Sequence, residues 1–185
     1  MQVENIMLKD IDRILLSKEE LDEAVKRLGR QISEDYRERN LLLVSVLKGS
    51  VVFMADLMRA IDIPCRIDFM CVSSYGSGTK TSGTVRILKD LDIDIEGYDL
   101  LLVEDILDSG KTLSYITEIL LARNPKSIRI CTLLDKPDRR QVDLTAEYTG
   151  YTIPDEFVVG YGLDYDEKYR NLPFVGVLKR SVYEK

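Results

Sequence analysis

The sequence predicts an α/β fold on a mostly parallel sheet, and three observations predict it. Two predominantly apolar runs of strand length, Leu41 to Leu47 and 100–103, read as strands covered on both faces, the habit of parallel sheets. Apolar stripes at helical spacing separate the strand-like runs, so strands and helices alternate along the chain. The residues suited to chemistry fall just after strands, at the carboxyl ends where ligands collect in such sheets.

Taken in order, Ser17-Lys18-Glu19-Glu20 reads as a capping box, and Leu21, Val25, Leu28 and Ile32 follow at helical spacing, which predicts a helix over about 18–38. Leu41 to Leu47 is the first core strand. Ser50 is placed to cap a second helix whose stripe is Met54, Leu57, Met58 and Ile61. Pro64 ends that connection, and 65–73 reads as a strand rich in β-compatible residues. The segment 74–83 is Ser, Gly and Thr with one Tyr and one Lys; it has little to bury and is expected to be mobile. A strand at 84–89, the strong strand at 100–103, a helix carrying Leu113, Ile116 and Leu120, and a strand at 127–134 complete the reading.

With 185 residues, 45% of them hydrophobic, the chain suits one domain able to bury a real core. A formal charge of −6 argues against broad nucleic-acid binding, which needs a basic face. The absence of histidine removes histidine general catalysis and His-ligated zinc, leaving acid–base work to Asp, Glu, Lys or Tyr. Cys65, Cys71 and Cys131 lack metal-site spacing and are odd in number, so buried free thiols in a reducing cytoplasm are expected. The first twelve residues do not read as a secretory signal, and no apolar stretch approaches a membrane span. The expected setting is soluble and cytoplasmic, without membrane or nucleic-acid partners.

The chemistry concentrates in Glu104-Asp105-Ile106-Leu107-Asp108-Ser109-Gly110-Lys111-Thr112-Leu113, read as a strand-to-helix turn. Ser109, Gly110 and Thr112 are compact enough for backbone N–H groups to converge on a phosphate at a helix N-terminus. Glu104 and Asp105 suit sugar hydroxyls and a hard cation such as magnesium. Lys48 and Gly49 follow the first core strand, where a cation and a close-approaching backbone can hold an anion. Lys136 follows the strand ending near Leu134; buried there, its ammonium can donate to a nucleobase carbonyl. Arg139 and Arg140 suit either phosphates or a basic surface turn.

The decapeptide closely resembles the phosphoribosyl-pyrophosphate signature of the type I phosphoribosyltransferases, more narrowly of their hypoxanthine phosphoribosyltransferase branch. Leu47-Lys48-Gly49, Ser73-Ser74-Tyr75-Gly76, Lys136 and the stretch from Ile153 to Asp164 with Arg170 resemble further motifs of that branch, in order and over nearly the whole chain. The resemblance implies the type I phosphoribosyltransferase fold: a twisted, mostly parallel sheet flanked by helices. It implies one domain over 1–185, with a core at about 38–135 and a small hood from the N-terminal segment and about 136–185.

The resemblance also implies the site. Asp108 would be the catalytic acid/base at purine N7. Glu104, Asp105, Asp108, Ser109, Gly110, Lys111 and Thr112 would bind the phosphoribosyl group and its 5′-phosphate. Lys48, Gly49 and Arg170 would hold pyrophosphate, with a non-proline cis peptide at Leu47-Lys48. Lys136 would read the 6-oxo group, Phe157 would stack on the purine and Val158 would offer backbone groups. Glu104, Asp105 and Asp164 would associate with Mg2+, while Ser74 and Tyr75 would belong to a loop closing during reaction.

The implied partners are phosphoribosyl pyrophosphate and a 6-oxopurine base, and the implied assembly is a homodimer or homotetramer. The expected reaction makes the 5′-monophosphate of hypoxanthine or guanine plus pyrophosphate in purine salvage. A guanine- or xanthine-preferring enzyme is one alternative. The other is a phosphoribosyl-pyrophosphate-sensing, nucleic-acid-binding regulator of the same fold, which the acidic charge and Asp108 disfavour.

Overall fold

A computed structural model describes residues 6–74 and 85–184, with the side chains of Ser74 and Val85 excepted. Its centre is a six-stranded sheet. In chain order the strands are β2 (Leu41–Leu47), β3 (Cys65–Ser74), β4 (Val85–Lys89), β5 (Asp99–Leu107), β6 (Ser127–Asp135) and β7 (Tyr148–Thr152), arranged β4-β3-β2-β5-β6-β7. All neighbours run parallel except the edge strand β4, antiparallel to β3.

The register explains the continuous apolar runs. On β2, Leu41 and Leu43 join one core cluster while Leu42 and Val44 join another on the opposite face; Leu101 and Val103 against Leu100 and Leu102 divide the same way on β5. Successive side chains alternate faces, so only a strand buried twice needs apolar residues at every position. The first face is covered by α1 (Lys18–Asp35) and α2 (Val51–Ala60). The second is covered by α3 (Lys111–Leu121), through Leu113, Ile116 and Leu120.

Helix α1 starts as expected. Ser17 Oγ accepts from Glu20 N–H at 3.2 Å and Glu20 Oε2 accepts from Ser17 N–H at 2.7 Å, a reciprocal capping box. It ends at Asp35 rather than 38, because Tyr36 turns into the core and Glu38 takes a left-handed φ of 64°. Ser50 sits at the start of α2 but does not cap it. Its backbone is helical, and its hydroxyl is spent on Val46 O and on Ser45 Oγ at 2.6 Å.

The chain's two ends meet in a second sheet: β1 (Ile11–Leu16), β9 (Val175–Leu178) and β8 (Val158–Val159), antiparallel and ordered β1-β9-β8. A short α4 (Arg180–Tyr183) follows β9. Beyond the boundary expected near 135/136, β7 pairs with β6 in the main sheet, and α1, within the N-terminal segment, covers that sheet. Of the three free thiols only Cys131 is buried; Cys65 and Cys71 are half-buried, a correction to the expectation.

The Asp-rich stretch 86–98, which carried no functional reading, is a clasp. Asp90 takes both Arg123 N–H groups at 2.8 Å, and buried Asp68 accepts from Asp92 N–H at 2.8 Å. The Arg123 hydrogen bonds hold the Asp90 carboxyl below its usual range. The mobility expected of 74–83 concerns residues of which 75–83, Tyr75 included, lie outside the described residues, as does the side chain of Ser74.

Candidate active site

The phosphate turn is built by the end of β5 and the start of α3. Glu104 and Asp105 are still within β5, not in the turn as expected, and Glu104 stands opposite Thr132 of β6. Gly110 sits at the N-cap of α3 with φ +81°, and the first intrahelical bond is Ser114 N–H to Gly110 O at 2.9 Å. The amides ahead of that bond have no partner in the helix and converge at its positive end. They open on a cleft of about 130 Å3 lined by Glu104, Asp108, Ser109, Gly110 and Thr112. Lys111, expected among the phosphate ligands, does not line it.

Arg140 holds this turn in place. Its guanidinium donates to Asp108 O at 3.1 Å, Leu107 O at 3.3 Å, Leu144 O and the Asp135 carboxylate. It is neither a surface cation nor a phosphate ligand. Sequence could have shown this only through its position one residue after Arg139, which behaves otherwise.

The acid pair is desolvated. Burial, with neighbouring Asp105, holds the Glu104 carboxyl well above its usual range, and its Oε1 is buried without a hydrogen-bond partner. Burial likewise pushes Asp105 up to about 6, against the Ile106 N–H and the nearby Arg170 charge. The third acid, Asp164, spends its oxygens on Arg170 at 2.8 Å and on Glu167 N–H at 2.9 Å. Among the described residues no three acid or sulfur side chains converge as a metal cage. The expected Glu104–Asp105–Asp164 trio is therefore not a preformed site. The acid pair does fit a hard cation whose remaining ligands come from substrate oxygens and water, the usual habit of magnesium.

On the other side of Asp105 lies the region expected to hold pyrophosphate. The Leu47–Lys48 peptide is cis, as the resemblance implied. A Cβ on Gly49 would stand 1.9 Å from Asp105 Oδ2, and one on Gly162 would stand 2.0 Å from Gly49 O, so both positions exclude any larger residue. Lys48 Nζ is 3.1 Å from Glu167 Oε2, and Arg170 NH2 is 3.4 Å from the same oxygen. Glu167, which sequence reasoning missed, thus joins the two cations expected to hold pyrophosphate. Arg170 Nε is buried without a partner, a donor available to an anion. The loop is held by Gly162 N–H to Arg170 O and Arg170 NH1 to Gly162 O, at 2.9 and 2.8 Å, while Tyr161, Asp166, Glu167 and Tyr169 all take left-handed φ. Such backbone persists where the surroundings over-determine it, commonly at ligand clamps.

A third region adjoins the phosphate cleft through Ile106 and Asp108. It has a volume of about 410 Å3 and is lined by Lys136, Arg139, Asp155, Phe157, Val158 and Tyr183, among others. Lys136 is 7% exposed. Its ammonium donates to Glu156 O at 2.6 Å, and burial lowers its pKa against the raising effect of Asp108 and Asp155. Phe157 is 38% exposed and stacks on Tyr183 at 4.8 Å and 22°; Tyr183 had no sequence signal beyond its aromaticity. Leu178 N–H donates to Phe157 O at 2.9 Å. With Val158 opposite Val177, that bond makes theirs a non-hydrogen-bonded pair, so Val158 N–H and C=O face the open edge of the small sheet. This is the backbone edge expected to read a base.

Phosphate amides, a buried acid pair, an anion clamp and a flat cleft with an ammonium share the carboxyl ends of β2, β5 and β6. They give the protein a mostly parallel α/β fold with one polar cleft at the carboxyl edge of its sheet. The chain belongs to the phosphoribosyl transferase domain family, whose pattern matches residues 14–166.

It is 56% identical over 179 residues to a hypoxanthine-guanine phosphoribosyltransferase of Staphylococcus epidermidis, covering 97% of this chain and 100% of that one. A crystal structure of a hypoxanthine phosphoribosyltransferase from Staphylococcus aureus superposes with a TM-score of 0.96 at 50% identity over 100% of both chains. The fold is accordingly the type I phosphoribosyltransferase fold. The bifunctional protein TilS/HprT of Listeria monocytogenes is 51% identical over 97% of this chain, which spans 28% of that protein's length. Among the described residues no helix is long and apolar enough to cross a membrane.

Proposed function

We propose that this chain is a purine salvage phosphoribosyltransferase that joins hypoxanthine, and guanine, to phosphoribosyl pyrophosphate, giving the 5′-monophosphate nucleotide and pyrophosphate. The single observation carrying it is the meeting, at Asp108, of the phosphate cleft and the base cleft. A ribose 5′-phosphate seated in the first presents its C1′ toward the second. The names of the full-length relatives agree with this reading.

The amides of the Asp108 to Thr112 turn bind the 5′-phosphate. Glu104 and Asp105 orient the ribose hydroxyls. Lys48 and Arg170 hold the pyrophosphate. Phe157 stacks on the base, Val158 pairs with its edge, and Lys136 donates to O6. As the N9–C1′ bond forms and the C1′–O bond to pyrophosphate breaks, the proton leaving N7 passes to the Asp108 carboxylate. Charge building on the ribose is met by fixed groups rather than by reorganising water. Magnesium, held by Glu104 and Asp105 together with ligand oxygens, would offset the leaving group's charge. A 6-amino purine offers no acceptor in O6's place, so adenine leaves the donor of Lys136 that faces the base without a partner.

Guanine and hypoxanthine share the O6 and N7 edge, and both are substrates in this reading. Cytoplasmic location and a dimer or tetramer belong to the same proposal. Calorimetry with inosine and adenosine 5′-monophosphates tests it: the first binds at least tenfold tighter, and Lys136→Met removes the difference. Equal binding of the two nucleotides by the unaltered chain would refute the assignment of Lys136.

A further inference from the structure

Two groups expected to meet neighbouring atoms of the base, Asp108 at N7 and Lys136 at O6, are joined to each other by two further residues. Arg139 Nε donates to Asp108 Oδ1 at 3.0 Å. Its NH1 lies 3.6 Å from Asp155 Oδ2, and Asp155 Oδ1 lies 3.9 Å from Lys136 Nζ. Carboxylate, guanidinium, carboxylate and ammonium alternate in charge along one wall of the base cleft, which all four line. We infer that Arg139 and Asp155 are positioning residues that hold the Asp108 acceptor and the Lys136 donor at the spacing of the N7/O6 edge of a 6-oxopurine. The inference rests on the function proposed above.

The chemistry favours this over a chance surface pairing. A 6-oxopurine presents, side by side, an oxygen that accepts and an N7 proton that is given up. Reading that edge requires one donor and one ionised acceptor at a fixed separation. Lys136 is anchored independently by Glu156 O at 2.6 Å and by burial. Asp108 has no comparable anchor on its carboxylate, being half exposed; Arg139 provides one. The planar fork of Arg139 can meet two carboxylates at once, which a lysine cannot do in the same geometry.

The sequence departs from an ordinary basic turn accordingly. Of the adjacent pair in Pro137-Asp138-Arg139-Arg140, one arginine is spent on backbone carbonyls and Asp135. The other is directed to the base cleft.

Steady-state kinetics on Arg139→Gln, Asp155→Asn and the double variant test this. Both side chains are about half exposed, so the variants fold, and an exposed pair is expected to act modestly. Each single change should raise KM for hypoxanthine about two- to fivefold, leaving KM for phosphoribosyl pyrophosphate unchanged. The double variant should be no worse than the poorer single one, because the two residues act as one bridge. Arg139→Lys should fall between Gln and the native residue. An unmoved hypoxanthine KM, an equal rise for phosphoribosyl pyrophosphate, or a fully additive double variant would each overturn the inference. Absence of any hypoxanthine turnover by the unaltered chain would instead overturn the proposed function itself.

Discussion

Asp105 shows how burial serves function at the cost of stability. Its carboxyl is pushed up to about 6, mainly by burial, whereas an unfolded chain would titrate it near the ordinary value of about 3.9. Because the folded pKa is the higher one, the folded chain binds more protons between those values, and stability falls as pH rises from about 4 to about 6. Above that window the penalty for burying the ionised carboxylate is complete. Asp105→Asn keeps the acceptor for Ile106 N–H, which Asp105 Oδ1 takes at 2.8 Å, and removes the charge. The variant should be more stable than the parent at pH 7 by on the order of 2 kcal/mol, with the difference shrinking toward pH 4, while turnover collapses. Denaturant melts at pH 4 and pH 7 measure this; a variant less stable than the parent at pH 7 would contradict it. The same titration predicts that magnesium-supported binding of phosphoribosyl pyrophosphate weakens below about pH 6, where protons compete for the site.

At the scale of elements, what was legible depended on whether the cause was local. The capping box of α1 could be read from Ser17 and Glu20 because both partners lie within one turn. Ser50 carried the same cap-forming residue type, yet its hydroxyl found Ser45 and the Val46 carbonyl, partners supplied by the adjacent strand. Strand β7 was missed because its glycine weakens any strand signal. That glycine is required by its neighbour: a Cβ on Gly150 would stand 2.4 Å from Leu133 O.

The turn into α3 is local again. Gly110 has φ +81°, and an added Cβ would meet Val142 Cγ2 at 2.8 Å. Gly110→Ala should therefore distort the amide cradle, costing about 1–2 kcal/mol of stability. KM for phosphoribosyl pyrophosphate should rise more than KM for the base. Equal KM values in parent and variant would show that the turn does not form the phosphate site.

Across the whole molecule, the alternation of apolar runs and helical stripes was enough to place a parallel sheet and its carboxyl edge, and with it Lys48, the acid pair, Asp108 and Lys136. What pattern could not show was the far side of the site. Arg139, Asp155, Glu167 and Tyr183 reach it through turns and through the small sheet where the chain's two ends meet, and those approaches depend on long-range packing rather than on period. The acidic net charge is compatible with the polyanionic ligand proposed above, because Lys48, Arg170 and the α3 amides place positive charge and N–H donors locally at the site.

The most direct test of the central claim is a magnesium-dependent assay with phosphoribosyl pyrophosphate, offering hypoxanthine, guanine, xanthine and adenine separately to the parent chain and to Asp108→Asn. The account predicts monophosphate formation from hypoxanthine and guanine, little from adenine, and a loss of about 10²- to 10⁴-fold in the variant. Phosphoribosyl pyrophosphate bound with no turnover of any base would contradict it and identify the chain as a sensor of that ligand.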